Sequence, residues 1–340
     1  MKIACLGGGP AGLYFAISMK LRDASHDITV IERNRADDTF GWGVVLSDET
    51  LANLKKNDPV SAEAIQKFFA YWDDIALVHR GERLVSSGHG FCGIGRRKLL
   101  ELLQERAVAL GVKLEFETEI DDIEALCNQH DLVVAADGVN SRTRAHFEEH
   151  FKPEVDRRAC KFVWLGTNQK FDDAFTFIFE NTEHGWVWAH AYQFDSDTAT
   201  FIVECSEATW DAWGFGSMSQ DESIAACERI FAAHLDGNGL MSNAHHLRGS
   251  AWLNFNRVLC ETWFHRNVVL LGDSSATAHF SIGSGTKLAL ESAIALADLI
   301  HSEDRLETAF SRYQEDRRLD VLRLQSAARN STEGFEDVER

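Results

Sequence analysis

The sequence predicts an α/β fold in which an open, mostly parallel sheet is interrupted by an inserted, mostly antiparallel sheet. Three observations predict it. A glycine-rich turn follows the first apolar run, as at the junction of a strand and a helix. Residues 159–205 then alternate with period two, as antiparallel strands do. An apolar run returns at residues 267–271 and is followed by helical patterns.

The amino-terminal turn lies between a strand at residues 2–6 and a helix that begins near residue 13. We expect Gly7 to permit the turn, Gly9 to let a diphosphate approach the backbone, and Gly12 to let the helix pack on the sheet. The helix N-terminus would supply free N–H groups and the positive end of a dipole. The turn residues predicted to hold a diphosphate are Gly7, Gly9, Pro10, Ala11 and Gly12.

A second strand, residues 27–31, ends in an acid. Glu32, which precedes Arg33, lies about twenty residues past the glycines, where a carboxylate commonly holds a ribose. We therefore predict dinucleotide binding by this unit, with Glu32 and Arg33 beside the adenosine. A βαβ unit without a ligand is the alternative, and the turn alone does not distinguish FAD from NAD.

The remaining elements follow in order. Asp58-Pro59 is a typical helix start, and its helix is predicted to end near Ala70. A hairpin is predicted at 75–87, a helix from Arg96, strands at 112–118 and 131–136, helices at 219–235, 288–300 and 306–328, and a strand at 267–271. We predict a discontinuous FAD- or NAD-binding domain (1–75, 90–158 and 260–304), a substrate-binding sheet domain (76–89 and 159–259) and a C-terminal helix (305–340).

Composition excludes several classes of protein. The net charge of −19 disfavours a nucleic-acid or anionic-membrane surface. No uninterrupted apolar run approaches the roughly 18 residues of a membrane span. Seven scattered cysteines without a CxxC motif indicate reduced thiols, hence a cytoplasmic protein without a disulfide framework or a metal site.

Two more strand ends carry an acid beside a glycine, Asp137-Gly138 and Gly272-Asp273. Acids at the carboxyl ends of strands point into the ligand crevice of an open α/β sheet. A carboxylate such as Asp273 can hold the polyol chain of FAD. The turn Gly283-Ser284-Gly285 opens a helix whose N–H groups can stabilise charge at the flavin N1–C2=O edge, which favours FAD over NAD.

With these motifs in this order, and with Arg96 before a leucine-rich helix, the chain resembles the FAD-dependent aromatic hydroxylases of the para-hydroxybenzoate hydroxylase type (group A flavin monooxygenases) along nearly its whole length. Residues 41–48, 87–96 and 279–287 are similar to the branch of salicylyl-CoA 5-hydroxylase, the 2-aminobenzoyl-CoA monooxygenase/reductase and a violacein-pathway hydroxylase. Three residues depart from the usual family: His279 and Phe280 stand near its prolines, and Lys287 replaces its asparagine.

The resemblance implies a Rossmann-like FAD-binding domain of the GR2 type with an inserted substrate sheet. It also implies that NADH or NADPH reduces FAD and that a flavin C4a-hydroperoxide formed with O₂ hydroxylates an electron-rich ring. The branch predicts an aryl-CoA thioester as substrate, and a fusion to or association with a second flavoprotein domain. An indolic or other natural-product intermediate is the alternative substrate. A flavin reductase of double bonds and a flavin-binding regulatory module without turnover are alternatives of other kinds.

The resemblance also implies roles for single residues. Asp273 would hold the ribityl chain or diphosphate, while Asp137 and Gly138 would fix a loop near it. Arg96, or Arg97 beside it, would contact FAD. The predicted pocket residues are His190, Tyr192 and His279, of which His279 is the catalytic candidate; packed core side chains are the alternative. Lys287 would offset flavin charge or be solvated, and the candidates for holding a CoA tail are Arg157, Arg158, Lys161 and residues 96–98.

Overall fold

The computed structural model describes residues 1–39, 41–244, 251–336 and 338. Residue 40 of the predicted FAD- or NAD-binding domain, 245–250 of the predicted substrate domain, and 337, 339 and 340 of the C-terminal segment lie outside the described residues. The strands are β1 (Lys2–Leu6), β2 (Asp27–Ile31), β3 (Gly43–Ser47), β4 (Ala70–Trp72), β5 (Asp74–His79), β6 (Glu82–Ser86), β7 (Phe91–Gly95), β8 (Lys113–Glu115), β9 (Leu132–Ala135), β10 (Pro153–Thr167), β11 (Ala174–Thr182), β12 (Gly185–Gln193), β13 (Ala199–Cys205), β14 (Leu240–Met241), β15 (Leu253–Cys260), β16 (Phe264–His265) and β17 (Val268–Leu270). The helices are α1 (Pro10–Arg22), α2 (Asp48–Asn57), α3 (Pro59–Gln66), α4 (Arg96–Ala109), α5 (Ile123–Gln129), α6 (Arg142–His146), α7 (Glu148–Phe151), α8 (Glu207–Trp213), α9 (Gln220–Ile230), α10 (Ala232–Leu235), α11 (Gly285–Ser302) and α12 (Leu306–Glu336).

The first sheet has the order β16-β17-β9-β1-β2-β8 among the described residues and is parallel except for the edge strand β16. Its central strand β9 is apolar throughout and buried, and its neighbour β1 is buried after Lys2, as expected of parallel strands covered on both faces. Helices α1 and α11 pack against one another in the same apolar core. Parallel pairing brings the carboxyl ends of β1, β9 and β17 to one edge, where their three motifs meet.

The second sheet is mostly antiparallel and has the order β14-β10-β13-β12-β11-β5-β6, with β15 paired to β10. Period-two alternation gives it two different faces. Val187, Ala189 and Ala191 of β12 point to an outer face, where they share a core with Phe231 and Leu235 next to α9. The residues that alternate with them, Trp188, His190 and Tyr192, point to the inner face, where His190 meets Phe280.

A third, small sheet, β3-β7-β4, joins the two larger ones. Its tight packing on the second sheet requires glycines: a Cβ at Gly43 would lie 2.6 Å from Phe194, and one at Gly166 would lie 2.6 Å from the Trp42 ring. This sheet therefore fixes the inner face of the second sheet against the edge of the first.

Most predicted elements are confirmed, with shifted ends. The predicted hairpin is the pair β5–β6. The helix predicted from Asp58 to Ala70 ends at Gln66, because Ala70 begins β4, which pairs with β7. The helix predicted at 219–235 is two helices, α9 and α10, and α12 runs on to Glu336. The division into domains stays a prediction, although β5 and β6 do pair into the second sheet as it requires.

Candidate active site

The amino-terminal turn has the backbone geometry that its glycines predict. Gly7 has φ +106°, and a Cβ there would lie 2.2 Å from the carbonyl oxygen of Ala136. A Cβ at Gly12 would lie 2.2 Å from the carbonyl oxygen of Gly7. In contrast, a Cβ at Gly9 would meet none of the described atoms within 4 Å. Two glycines are therefore required by the fold, whereas the third leaves open space at the N-terminus of α1, next to Pro10 and Ala11.

Glu32 is held at the same turn. Its two carboxylate oxygens accept hydrogen bonds from the backbone N–H groups of Gly8 and Asn34, each at 2.8 Å. These bonds orient the carboxylate beside the open space at Gly9, where the ribose prediction needs it. Arg33, next to Glu32, is exposed.

The late strand end lies against this turn. A Cβ at Gly272 would be 3.1 Å from Cβ of Ala11, so the two predicted cofactor contacts are neighbours in space. The Asp273 residue is exposed. Partial desolvation by the surrounding protein nevertheless raises the pKa of its carboxyl, against the opposite effect of the nearby Arg96 and Arg144.

Arg96 begins α4 and faces this edge. Its backbone N–H donates to the carbonyl of Trp42 at 2.8 Å, and its Nε has no hydrogen-bond partner among the described residues. Burial lowers the pKa of its guanidinium, against the charge of Asp273. Arg97 is instead exposed and lies 3.5 Å from Asp37. Of the two predicted arginines, Arg96 is therefore the one that faces the cleft.

The Asp137-Gly138 loop is tied to the same edge. One Asp137 oxygen accepts hydrogen bonds from Thr143, while Oδ1 has no partner among the described residues. The buried Arg144 donates to the carbonyl of Ser274 at 3.0 Å and so joins this loop to the late strand end. The sequence analysis assigned no role to Arg144. The feature that could have identified it is its position in the stretch that begins with Asp137-Gly138.

The turn at Gly283-Ser284-Gly285 faces the small sheet. Gly283 has φ +61°, and a Cβ there would lie 3.2 Å from Val45, while a Cβ at Gly285 would meet none of the described atoms within 4 Å. Lys287, in the first turn of α11, lies 2.5 Å from Glu49 in an ion pair. The start of α11 is therefore open at Gly285, as a predicted flavin contact requires.

The inner face of the second sheet brings the predicted pocket residues together. The Tyr192 hydroxyl donates to the carbonyl of Gly43 at 2.7 Å. His190 and His279 both face Glu204, a buried acid of β13 that sequence reasoning missed. Its signal was an acid within the otherwise apolar run of β13.

These residues fit FAD. Gly9 leaves space for the diphosphate, Glu32 presents an oriented carboxylate, Asp273 adds a second one at the late strand end, and Gly285 opens the N-terminus of α11. When bound, FAD would supply the redox chemistry, the transfer of two electrons from a nicotinamide to O₂. The protein supplies the polar contacts, the orientation and the exclusion of water.

Two further properties bear on the class of protein. Within the part of the chain that the structure describes, no group of three or more His, Cys, Asp or Glu side chains is arranged to hold a metal ion. None of the described helices is both long and apolar enough to cross a bilayer.

Comparison with known proteins identifies the family. Residues 1–324 match the family described as FAD binding domain. The chain is 41% identical to a salicyloyl-CoA 5-hydroxylase of a Streptomyces species over 100% of its own length, and it spans 66% of that protein. It is 36% identical to the protodeoxyviolaceinate monooxygenase of Chromobacterium violaceum, over 100% of the chain and 90% of the relative.

A third relative and a solved structure agree with this result. The chain is 34% identical to the 3-hydroxy-4-methyl-anthranilyl-[aryl-carrier protein] 5-monooxygenase of Streptosporangium sibiricum, over 98% of the chain and 89% of the relative. The structure of 2-methyl-3-hydroxypyridine-5-carboxylic acid oxygenase superposes with a TM-score of 0.80 at 17% identity, over 98% of this chain and 92% of that one, which shows the shared fold. The chain therefore belongs to the FAD binding domain family, in the branch of FAD-dependent aromatic monooxygenases.

Proposed function

We propose that this chain uses NADH or NADPH, FAD and O₂ to hydroxylate an electron-rich aromatic ring that is carried as a coenzyme A thioester. One oxygen atom would replace a ring hydrogen as hydroxyl, and the other would leave as water with two electrons from the nicotinamide. The observation that carries the proposal is the aromatic inner face of the second sheet, opposite the turn before α11. The names of the Streptomyces and Streptosporangium relatives support an acyl carrier on the substrate.

The inner face is suited to a flat apolar ligand. Phe175 stacks on Tyr192 with ring centroids 5.0 Å apart, and Phe177 meets the edge of His190 at 5.1 Å. Phe280 and Phe335 of α12 also pack on His190, at 5.4 and 5.3 Å, so a substrate ring would take the place of one of these side chains. Aromatic rings around this position favour a ring-shaped substrate and exclude water from its reacting carbon.

Arginine side chains that could bind an anionic tail of the substrate lie next to this face. A narrow slit between His279 and α12 is lined by Arg158, Arg257 and Arg329. Arg158 lies 2.5 Å from Glu336, so a phosphate would have to displace that carboxylate. Guanidinium groups suit phosphate because they bind it bidentately. The slit therefore favours a thioester with a phosphorylated carrier over a free acid.

The match to the protodeoxyviolaceinate monooxygenase supports an indolic natural-product intermediate as a second candidate substrate. That substrate would need the aromatic face but not the arginines. The two candidates therefore differ in the part of the site that they require.

The test is NADH and NADPH oxidation, O₂ uptake and product formation by the FAD-loaded protein. Salicyloyl-CoA, 2-aminobenzoyl-CoA, free salicylate and an indolic acid would be compared. We expect stimulation by a thioester but not by free salicylate. Stimulation by the indolic acid alone would replace the thioester proposal, and bound FAD with no stimulation by any of the four would contradict monooxygenation of these substrate classes.

The role of the arginines has a matched control. We expect Arg329→Ala to raise the KM for the thioester about 10-fold, which corresponds to one lost charged hydrogen bond. Arg305→Ala removes an arginine whose side chain is 74% exposed at the start of the same helix and should leave the KM unchanged. If Arg329→Ala and Arg305→Ala changed the KM for the thioester equally, the slit would not be the binding site of the anionic tail.

A further inference from the structure

Glu204 is the centre of a buried polar cluster on the inner face of the second sheet. Only 3% of its surface is exposed. Its Oε2 accepts a hydrogen bond from Trp188 Nε1 at 2.8 Å and lies 3.1 Å from His190 Nε2. Its Oε1 lies 3.7 Å from His279 Nε2. One carboxylate therefore faces two histidines and a tryptophan in an otherwise aromatic layer.

Strand pairing and the return of the chain bring the cluster together. Register pairs Trp188 of β12 with Glu204 of β13, and His190 with Ile202, so the two strands present these side chains on one face. His279 comes from the segment between β17 and α11, six residues before Gly285. The cluster thus joins the predicted substrate side of the site to the predicted flavin side.

The carboxylate of Glu204 is ionised despite its burial. Burial opposes ionisation, but the hydrogen bonds from His190 and Trp188 favour the charged form, and the pKa of Glu204 is lowered. Burial lowers the pKa of His279 to about 4, against the attraction of Glu204, so this imidazole is neutral near pH 7. Its Nδ1 accepts from the N–H of Ser281 at 3.2 Å, which assigns the proton to Nε2.

The two ring nitrogens of His190 differ in their contacts, because only Nε2 faces a hydrogen-bond partner, the carboxylate of Glu204. With Glu204 ionised, Nε2 of His190 carries the proton that faces the carboxylate. The other nitrogen, Nδ1, is buried and has no hydrogen-bond partner among the described residues. A neutral imidazole in this tautomer has a lone pair at Nδ1, and a buried acceptor without a donor is costly unless a ligand or water supplies one.

We propose that Nδ1 of His190 accepts the proton of the hydroxyl or amino group on the substrate ring, and that Glu204 is the positioning residue that fixes the tautomer of His190 and stabilises its imidazolium ion. The proposal rests on the proposed aromatic substrate. The substrate O–H or N–H bond breaks, an N–H bond forms at Nδ1, and the electron pair stays on the substrate, which makes its ring more nucleophilic. This arrangement follows the logic of a base oriented by a buried carboxylate.

Other titratable groups around the cluster are few. Arg158 and Cys160 of β10 and Glu336 of α12 lie close enough to interact with Glu204 or His279. Burial raises the pKa of the Cys160 thiol, which therefore stays protonated. Burial raises the pKa of Glu336, against the opposite effect of the charge of Arg158. Glu336 is therefore a second group near the cluster that can titrate, and the pH profile of each variant must be compared with that of the unmodified enzyme.

Glu204→Gln keeps a hydrogen-bond acceptor for His190 and removes the charge. We expect kcat for hydroxylation to fall about 100-fold, within the range of general-base effects, while FAD content and the KM stay within 3-fold. The acid limb of the kcat profile should move to lower pH, because the imidazolium ion loses its counter-charge. The double variant Glu204→Gln/His190→Phe should be no slower than His190→Phe alone, because the two residues act as a unit.

Glu180→Gln is the matched control. Glu180 faces His234 at 2.6 Å, a second His–Glu pair, on the outer face of the same sheet. This variant should leave kcat and its pH profile unchanged. If Glu204→Gln does not retain FAD, His190→Phe decides: relative to the unmodified enzyme, its kcat profile must lose the part of the acid limb that His190 contributes.

A Glu204→Gln enzyme within 3-fold of the unmodified one with the same pH profile, or effects of Glu204→Gln and His190→Phe that multiply, would overturn the inference. An unmodified enzyme that shows no thioester-stimulated turnover would instead count against the proposed substrate.

Discussion

The carboxyl edge of the first sheet and the inner face of the second sheet, which we propose as the two halves of one site, are built differently. At the edge, the backbone shapes the proposed cofactor site: glycines, strand ends and helix N-termini leave open space at Gly9 and Gly285. At the face, side chains from separate strands provide the polar contacts: Trp188 donates to Glu204, which also faces His190 and His279. A substitution at the edge should therefore act on cofactor binding, and one at the face on substrate chemistry.

The largest expected effect concerns Gly9. Gly9→Val places a side chain in the space predicted to hold the diphosphate, and its Cβ would meet none of the described atoms within 4 Å. We expect FAD affinity to fall on the order of 100-fold, or about 2.7 kcal/mol, while the thermal midpoint of the apoprotein changes little. Fluorescence titration of FAD and thermal unfolding measure the two quantities.

Gly7→Ala is the matched contrast at the same turn. The new Cβ would clash with Ala136, and φ +106° is unfavourable for alanine. Here the loss should be in folding stability, by at least roughly 1–3 kcal/mol from the backbone conformation alone. A Gly9→Val protein that retains normal FAD would contradict the assignment of this turn.

Tyr192→Phe tests the boundary between the two halves. The hydroxyl donates to the carbonyl of Gly43, so its removal leaves a buried acceptor unpaired. We expect a loss of about 1–3 kcal/mol in the free energy of unfolding, measured by urea denaturation, with the substrate KM unchanged. Unchanged stability with a raised KM would instead favour the sequence prediction that Tyr192 binds substrate.

Asp273→Asn should weaken FAD binding about 10-fold, the equivalent of one charged hydrogen bond. In the apoprotein, by contrast, the same substitution should increase the folding stability. The raised pKa of Asp273 means that the folded chain binds this proton more tightly than the unfolded chain, so stability falls as pH rises above about 3.9. Asparagine removes that fall, and urea denaturation of the apoprotein between pH 4 and 7 should show a flatter profile in the variant. A profile that is not flattened would show that Asp273 is not desolvated.

The smallest expected effect is that of Lys287→Ala. Its partner Glu49 is 74% exposed, and exposed ion pairs contribute little, so stability should change by less than about 0.5 kcal/mol. The midpoint potential of bound FAD, measured by dye-linked reduction, should also stay unchanged. A clear fall in the potential would revive the prediction that Lys287 offsets flavin charge.

The same contrast explains what the sequence could reveal. The motifs at 7–12, 137–138 and 272–273 are recognisable because each is a local backbone requirement that few residue types meet. That Gly272 lies against Ala11 follows from the rule that parallel strand ends share an edge. The edge of the site is therefore predictable from the order of residues along the chain.

Glu204 was not predictable in the same way. Its partners lie 14, 16 and 75 positions away in the chain, at His190, Trp188 and His279. The contact depends on the register of β12 with β13 and on the path of the chain after β17. His190, His279 and Tyr192 were predicted as pocket residues by resemblance, but which of them faces a carboxylate and which bonds to backbone is a long-range outcome.

The most direct test of the account is turnover of salicyloyl-CoA by the FAD-loaded protein with NADH or NADPH under ¹⁸O₂, followed by mass spectrometry of the product. The account predicts a ring-hydroxylated thioester that contains one ¹⁸O atom. Nicotinamide oxidation that yields hydrogen peroxide without a hydroxylated product, or a hydroxylated product without the label, would contradict it.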